Sequence, residues 1–187
     1  TFKDHLVSWV EKYIEWAYQE NASAILADID CRIAATPPFP GLRHFPQGCG
    51  FKQWTGNDSK ALMKVFLPAI VHYVPNKMVQ AIAAFLDFCY IVHQSTLDEA
   101  DLAAMEKALK CFETEHTIFE EVQICPDGIS IPCIHALQHY QEMVQQFGAP
   151  NGLCSSITES KHIQAVKRPW RRSNHYQALG QMLVTNQ

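Results

Sequence analysis

The residues with the most capacity for chemistry lie near the end of the chain. Gly148-Ala149-Pro150-Asn151-Gly152-Leu153-Cys154-Ser155-Ser156 is loop-forming sequence, and Ile157-Thr158 then brings Glu159 into the first turn of an expected helix. Lys161, His162, Lys167, Arg168, Arg171 and Arg172 follow within thirteen residues. A carboxylate that ligates Mg²⁺ beside cations that hold phosphates is what metal-assisted phosphodiester chemistry requires. Trp170, set among the arginines, offers a ring on which an unpaired base can stack. The same residues also fit a plain helix start, with an acid at the positive end of the dipole and a solvated charge cluster behind it.

A second constellation is His135 and His139, four apart on one face of an expected helix, with Cys133 just before and Glu142 one turn on. Neutral imidazoles at that spacing can share a zinc ion. Ala136 stands where a zinc-protease helix carries its general-base glutamate, so that motif is absent. Cys89 and His93 repeat the spacing inside a strongly apolar segment, where packing is the simpler role. No GxSxG, GxGxxG or phosphate-loop pattern occurs, which removes the common hydrolase, dinucleotide and ATPase readings.

Helices have to position these groups. Leu6, Val7, Val10, Tyr13, Ile14 and Ala17 form one stripe, and Ile25, Leu26, Ile29 and Ile33 another, over Ala22 to Ala35. Thr36-Pro37-Pro38-Phe39-Pro40-Gly41 ends the second, and an aromatic-bearing loop runs on to Trp54. Thr55-Gly56-Asn57-Asp58 starts a third helix, with Pro68 placed to kink it. Pro75 opens a fourth, Asn76 to His93, and Thr96 caps a fifth that extends to about Phe119. Val122 to Ile131 reads as a short strand or an irregular turn, and Pro132 to Phe147 as a single helix. The last two helices are expected at Ser156 to Lys167 and Asn174 to Thr185, separated by Arg168-Pro169-Trp170. The expected fold is mainly α and bundle-like, with few or no strands.

Charge is unevenly spread over the 187 residues. Residues 1–150 hold 10 Lys and Arg against 18 Asp and Glu, whereas residues 151–187 hold five basic residues against Glu159 alone. An acidic body with a basic tail points to a polyanion partner at that end. Seven cysteines, an odd number without a CxxC pair or a leader sequence, suggest reduced thiols inside a cell. The most apolar segment, Met78 to Val92, is interrupted by Gln80 and Asp87 and falls short of a membrane span. The opening Thr1 and the apolar run at Leu183-Val184 are expected to be cut ends of a longer chain.

Longer word-like segments carry a resemblance. Gln53-Trp54-Thr55-Gly56-Asn57-Asp58-Ser59-Lys60-Ala61-Leu62-Met63-Lys64, Phe85-Leu86-Asp87-Phe88-Cys89-Tyr90, the Gly148 to His162 segment and Lys167-Arg168-Pro169-Trp170-Arg171-Arg172-Ser173 resemble the Plavaka-type DNA transposases of mushroom-forming fungi, related to the CACTA group. The resemblance spans almost the whole chain. It implies a cut-and-paste enzyme with an RNase H-like core, in which three acidic residues hold two Mg²⁺ (or Mn²⁺) ions, and it implies action in the nucleus on transposon DNA.

In such enzymes a helical insertion separates the second catalytic aspartate from the final glutamate. Glu159 matches that glutamate, as catalytic residue and metal ligand, and residues 1–147 match the insertion. Residues 148–187 match the terminal helical segment, with Lys161, His162, Lys167, Arg168, Trp170, Arg171 and Arg172 as DNA contacts. The second aspartate belongs to an Asp-x-x-His motif expected upstream of Thr1; Asp28, Asp30 and Asp58 are the alternative acids within the chain. One carboxylate cannot assemble a two-metal site, so the isolated chain is expected not to cleave DNA or to hold the ions tightly. The alternative is a non-catalytic helical module, derived from a transposon, that contacts protein or DNA. Oligomeric state is open.

Overall fold

The computed structural model describes residues 2–51, 53–126, 128–129, 132–152 and 160–185, with backbone alone at 133 and 152. The protein is mainly α-helical, and no strand occurs among the described residues. A π-helical stretch, Phe2–Val7, leads into α1 (Ser8–Tyr18), and a 3₁₀ turn, Gln19–Asn21, folds α2 (Ala22–Ala34) back against it. Phe2, Leu6, Val10 and Ile14 from the first pair of segments and Ile29 and Ile33 from α2 are buried together, the stripes that helical spacing dictates.

The loop after α2 lies on the body. Phe45 is buried, and the rings of Phe45, Phe51 and Trp54 stack in series, 5.8 and 5.3 Å between centroids. Asp30 of α2 fixes the loop by accepting from the Cys49 amide at 2.6 Å. Gly48 has φ +57° and passes so close to α2 that a Cβ there would fall 2.2 Å from Asp30 Oδ1. Only glycine meets both demands.

Helix α3 (Gly56–Ile70) starts with a capping box: the Asp58 amide donates to Thr55 Oγ1, and the Asp58 carboxylate accepts from the Thr55 amide. The helix continues through Pro68 for two more residues, near its end, where few later turns depend on the missing N–H. Helix α4 (Asn76–Val92) is the spine. Its Met78, Ile82 and Phe85 join the main core, while Phe88 and Val92 form a second cluster with Leu102 and Met105 of α5 (Glu99–Glu115). The α4–α5 pair is the most extensive helix contact.

Four expected boundaries are corrected. The cap of α5 is Asp98, not Thr96, because Asp98 and Asp101 exchange side-chain bonds with each other's amides. That helix stops at Glu115, and α6 (Ile118–Glu121) follows as a separate turn that buries Ile118 and Phe119. The Pro132 to Phe147 region is two helices, α7 (Pro132–Leu137) and α8 (Tyr140–Phe147). The Gln138 and His139 amides bond back only three residues, to His135 O and Ala136 O, and the Gln138 side chain is drawn to Glu113 of α5 at 2.9 Å.

The fourth correction concerns the basic segment. Arg168-Pro169-Trp170 does not separate two helices; it lies inside helical chain that runs from 160 through π-helical Ile163–Lys167 into α9 (Arg168–Arg172). A wide π turn just before Pro169 lets the helix pass a residue that has no amide to give. The break comes instead before α10 (Ala178–Thr185), where His175 and Gln177 take positive φ and the Asn174 side chain accepts from the Tyr176 amide at 3.0 Å.

Candidate nucleic-acid interface

Glu159, the residue expected to be catalytic, lies outside the described residues. The structure does place the expected DNA contacts. Lys161, His162, Lys167, Arg168, Trp170, Arg171 and Arg172 are all exposed, on one continuous helical run. Lys167 and Arg171, like Arg168 and Arg172, are one turn apart, so like charges that repel one another stand in adjacent rows, an arrangement that a bound polyanion would relieve. No carboxylate of a described residue pairs with any of these five cations. Pro169 is their buried anchor. One face of Trp170 is already stacked on His175, at 4.9 Å and 9° between planes, so a base would have to use the other face.

The alternative acids are each committed to holding the fold. The Asp28 carboxylate takes bonds from Tyr73 Oη and Arg32 Nε, both at 2.6 Å, and the tyrosine hydrogen bond chiefly holds its pKa below the usual range. Asp30 pins the 45–50 loop. Asp58 closes the α3 capping box and is paired with Arg43. Among the described residues no three His, Cys, Asp or Glu side chains gather as a metal site.

Cys89 is half-buried and packs against the core. Burial pushes its thiol up to about 12, and His93 Nδ1 lies 2.6 Å from the Cys89 carbonyl oxygen, which accepts a hydrogen bond from the ring when Nδ1 carries the proton. His135 and His139, by contrast, come together despite the helix break between them, with Nε2 atoms 3.4 Å apart.

Sequence reasoning missed a second cationic surface. Lys60 and Lys64, one turn apart on α3, are exposed and stand between two depressions. One, of about 250 Å³, is lined also by Met63, Tyr90, His93 and Asn151. The other, of about 510 Å³, is bounded by Gly41, Arg43, Thr55, Asn57, Asp58 and Ala61. The available signal was local: between residues 31 and 86 the chain holds Arg32, Arg43, Lys52, Lys60, Lys64 and Lys77 against Asp58 alone, a bias hidden when the acidic body is counted whole. A cavity of about 620 Å³ lies between α4 and α5, where Ala83, Ala84, Ala104 and Ala108 form an apolar wall and Gln80, Asp87, Lys107 and Glu115 also line it.

No helix among the described residues is long and apolar enough to cross a membrane. Comparison with protein-family models, curated proteins and solved structures gave no match.

Proposed function

We propose that this chain is the helical insertion and terminal helix of a Plavaka-type DNA transposase, an enzyme of metal-dependent DNA strand cleavage and transfer. The observation that carries the reading is charge segregation. In a chain of net charge -4, the cations of residues 161–172 stand exposed and without carboxylate partners among the described residues, while Lys60 and Lys64 form a second cationic ridge. Cations without carboxylate partners, displayed along helices, suit a phosphate backbone, because each phosphate they neutralise releases condensed counterions.

On this reading Glu159 is one of three acids that hold two Mg²⁺ ions, and the other two lie in a catalytic region not contained in these residues. The ions, when bound, activate the attacking oxygen and stabilise the leaving one. Lys161, His162, Lys167, Arg168, Arg171 and Arg172 position the DNA; Trp170 stacks on a base through its open face. Leu179, Leu183 and Val184 of α10 are largely exposed, and that apolar surface suits contact with the remaining core.

Fluorescence anisotropy with a labelled duplex, from 50 to 200 mM salt, tests the DNA contact. Affinity should fall with salt, and R171Q/R172Q should reduce the log–log slope by about 0.9 for each phosphate left without its cation. Salt-independent binding, or none, refutes it; a DNA-silent chain that binds protein through α10 would instead favour the non-catalytic module. The isolated chain should not cut DNA with Mg²⁺ present, and nicking that disappears in E159Q would overturn the assignment of the missing ligands.

A further inference from the structure

The His135–His139 pair keeps its rings together across a junction where the backbone stays right-handed helical but bonds back three residues. Four-residue spacing brings two rings together on a continuous helix, yet here the helix is broken between them: His135 belongs to α7 and His139 is the residue that precedes α8. Their Nε2 atoms nevertheless face each other at 3.4 Å, with the rings nearly perpendicular at 87°. Two nitrogens that bind one tetrahedral ion at about 2.0–2.1 Å must lie about 3.3–3.4 Å apart. Square-planar or octahedral ligands in adjacent positions would need only about 2.9–3.0 Å. The observed separation is the tetrahedral one.

The surrounding chain holds the pair in place. Ile134 is buried, Leu137 packs on both clusters, and Tyr140 meets the edge of Phe88 at 5.6 Å. Gln138, between the two histidines, is tied to Glu113 of α5. Anchored neighbours on the inner side leave both imidazoles exposed outside.

From this we propose that His135 and His139 form a zinc-binding clamp across the α7–α8 break. Each neutral ring would carry its proton on Nδ1 and offer Nε2 to the ion, with the remaining positions open to water or another ligand. Glu142 is not the third ligand: among the described residues no third His, Cys, Asp or Glu side chain gathers with the two histidines. The clamp is separate from the Glu159 chemistry and does not depend on the transposase reading.

The test is isothermal titration of the reduced chain with ZnCl₂, together with long-range ¹H–¹⁵N imidazole spectra and thermal melts. Wild type should bind zinc and move the Nε2 resonances of both histidines. H135N and H139N should each weaken binding at least tenfold, while E142Q leaves it unchanged. Zinc should also raise the wild-type melting temperature by several degrees and leave that of H139N unmoved. Because both side chains are exposed, the variants should keep the wild-type circular dichroism. Wild-type zinc affinity in both single variants, or unmoved Nε2 resonances at saturating zinc, overturns the proposal.

Discussion

Replacing Asp58 separates a structural acid from a metal ligand. Its side chain is almost wholly buried, with 3% of the residue exposed. Oδ2 accepts from the Thr55 amide and from Thr55 Oγ1, both at 2.8 Å, while Arg43 bonds the other oxygen. D58A therefore removes the returning half of a capping box and every bond to a buried carboxylate. A cap contributes about 1 kcal/mol and a hydrogen bond to a charged group about 1.5–3 kcal/mol. Thr55 is exposed, so water replaces part of what its donors lose. The Arg43 side chain is 60% exposed, which limits that pair to about 1 kcal/mol or less. The total is about 2–3 kcal/mol, or roughly 5–10 °C in melting temperature for a chain of this length. D58N keeps the shape and one acceptor and should lose about half as much. Thermal circular dichroism with and without Mg²⁺ is the assay. A D58A melt within about 1 °C of wild type would refute the capping argument, and so would a Mg²⁺-induced shift in wild type that D58N abolishes.

Three further outcomes follow from local geometry. G48A should destabilise the chain by more than about 1 kcal/mol, read as a lower urea midpoint, because the added Cβ meets Asp30 where φ is already +57°. Iodoacetamide at pH 8 should label the exposed Cys31 and Cys111 first and spare Cys49 and Cys89, whose thiols burial pushes up to about 12; mass spectrometry of the peptides reads the order. The depressed Asp28 carboxyl stabilises the fold above the unfolded aspartate value of about 3.9. That contribution should fade as pH falls through the lower folded value, so the stability gap between wild type and Y73F, measured by urea titration, should narrow below about pH 4.

How much of this was legible depended on whether local chemistry or tertiary packing set the outcome. The stripes of α1 and α2, the Thr55 start of α3 and the Pro75 start of α4 could be read directly, since each is specified by residues within one turn. The α5 cap was misplaced because Thr96 and Asp98 are both acceptable caps, and only Asp98 finds a reciprocal partner in Asp101. The break at Gln138–His139 has no local sequence mark, and the partner of the Gln138 side chain, Glu113, lies twenty-five residues away. Pro169 was read as a breaker because a π turn that accommodates it has no sequence signature. For the candidate interface, the basic tail stood out as a run of like charges, while Lys60 and Lys64 were outvoted by acids elsewhere in the body.

The two cationic surfaces gain meaning from the order of the chain between them. Asn151 lies against Lys60, Lys64, Tyr90 and His93 at the α3–α4 depression, and Lys161 begins the basic helical run. The segment that joins them in sequence carries Glu159. A polyanion held at both surfaces would meet cations that precede and follow Glu159 in the chain, whereas a merely solvated charge cluster has no reason to recur at both ends of that segment. The two arrangements differ in coupling. If one duplex spans both surfaces, K60Q/K64Q and R171Q/R172Q should each lower its affinity, and the quadruple variant should lose the sum of both salt slopes. With a duplex too short to reach from one surface to the other, the two pairs should act independently. An effect confined to the arginine pair at every duplex length would remove the α3 ridge from the interface and leave the basic tail as its sole anchor.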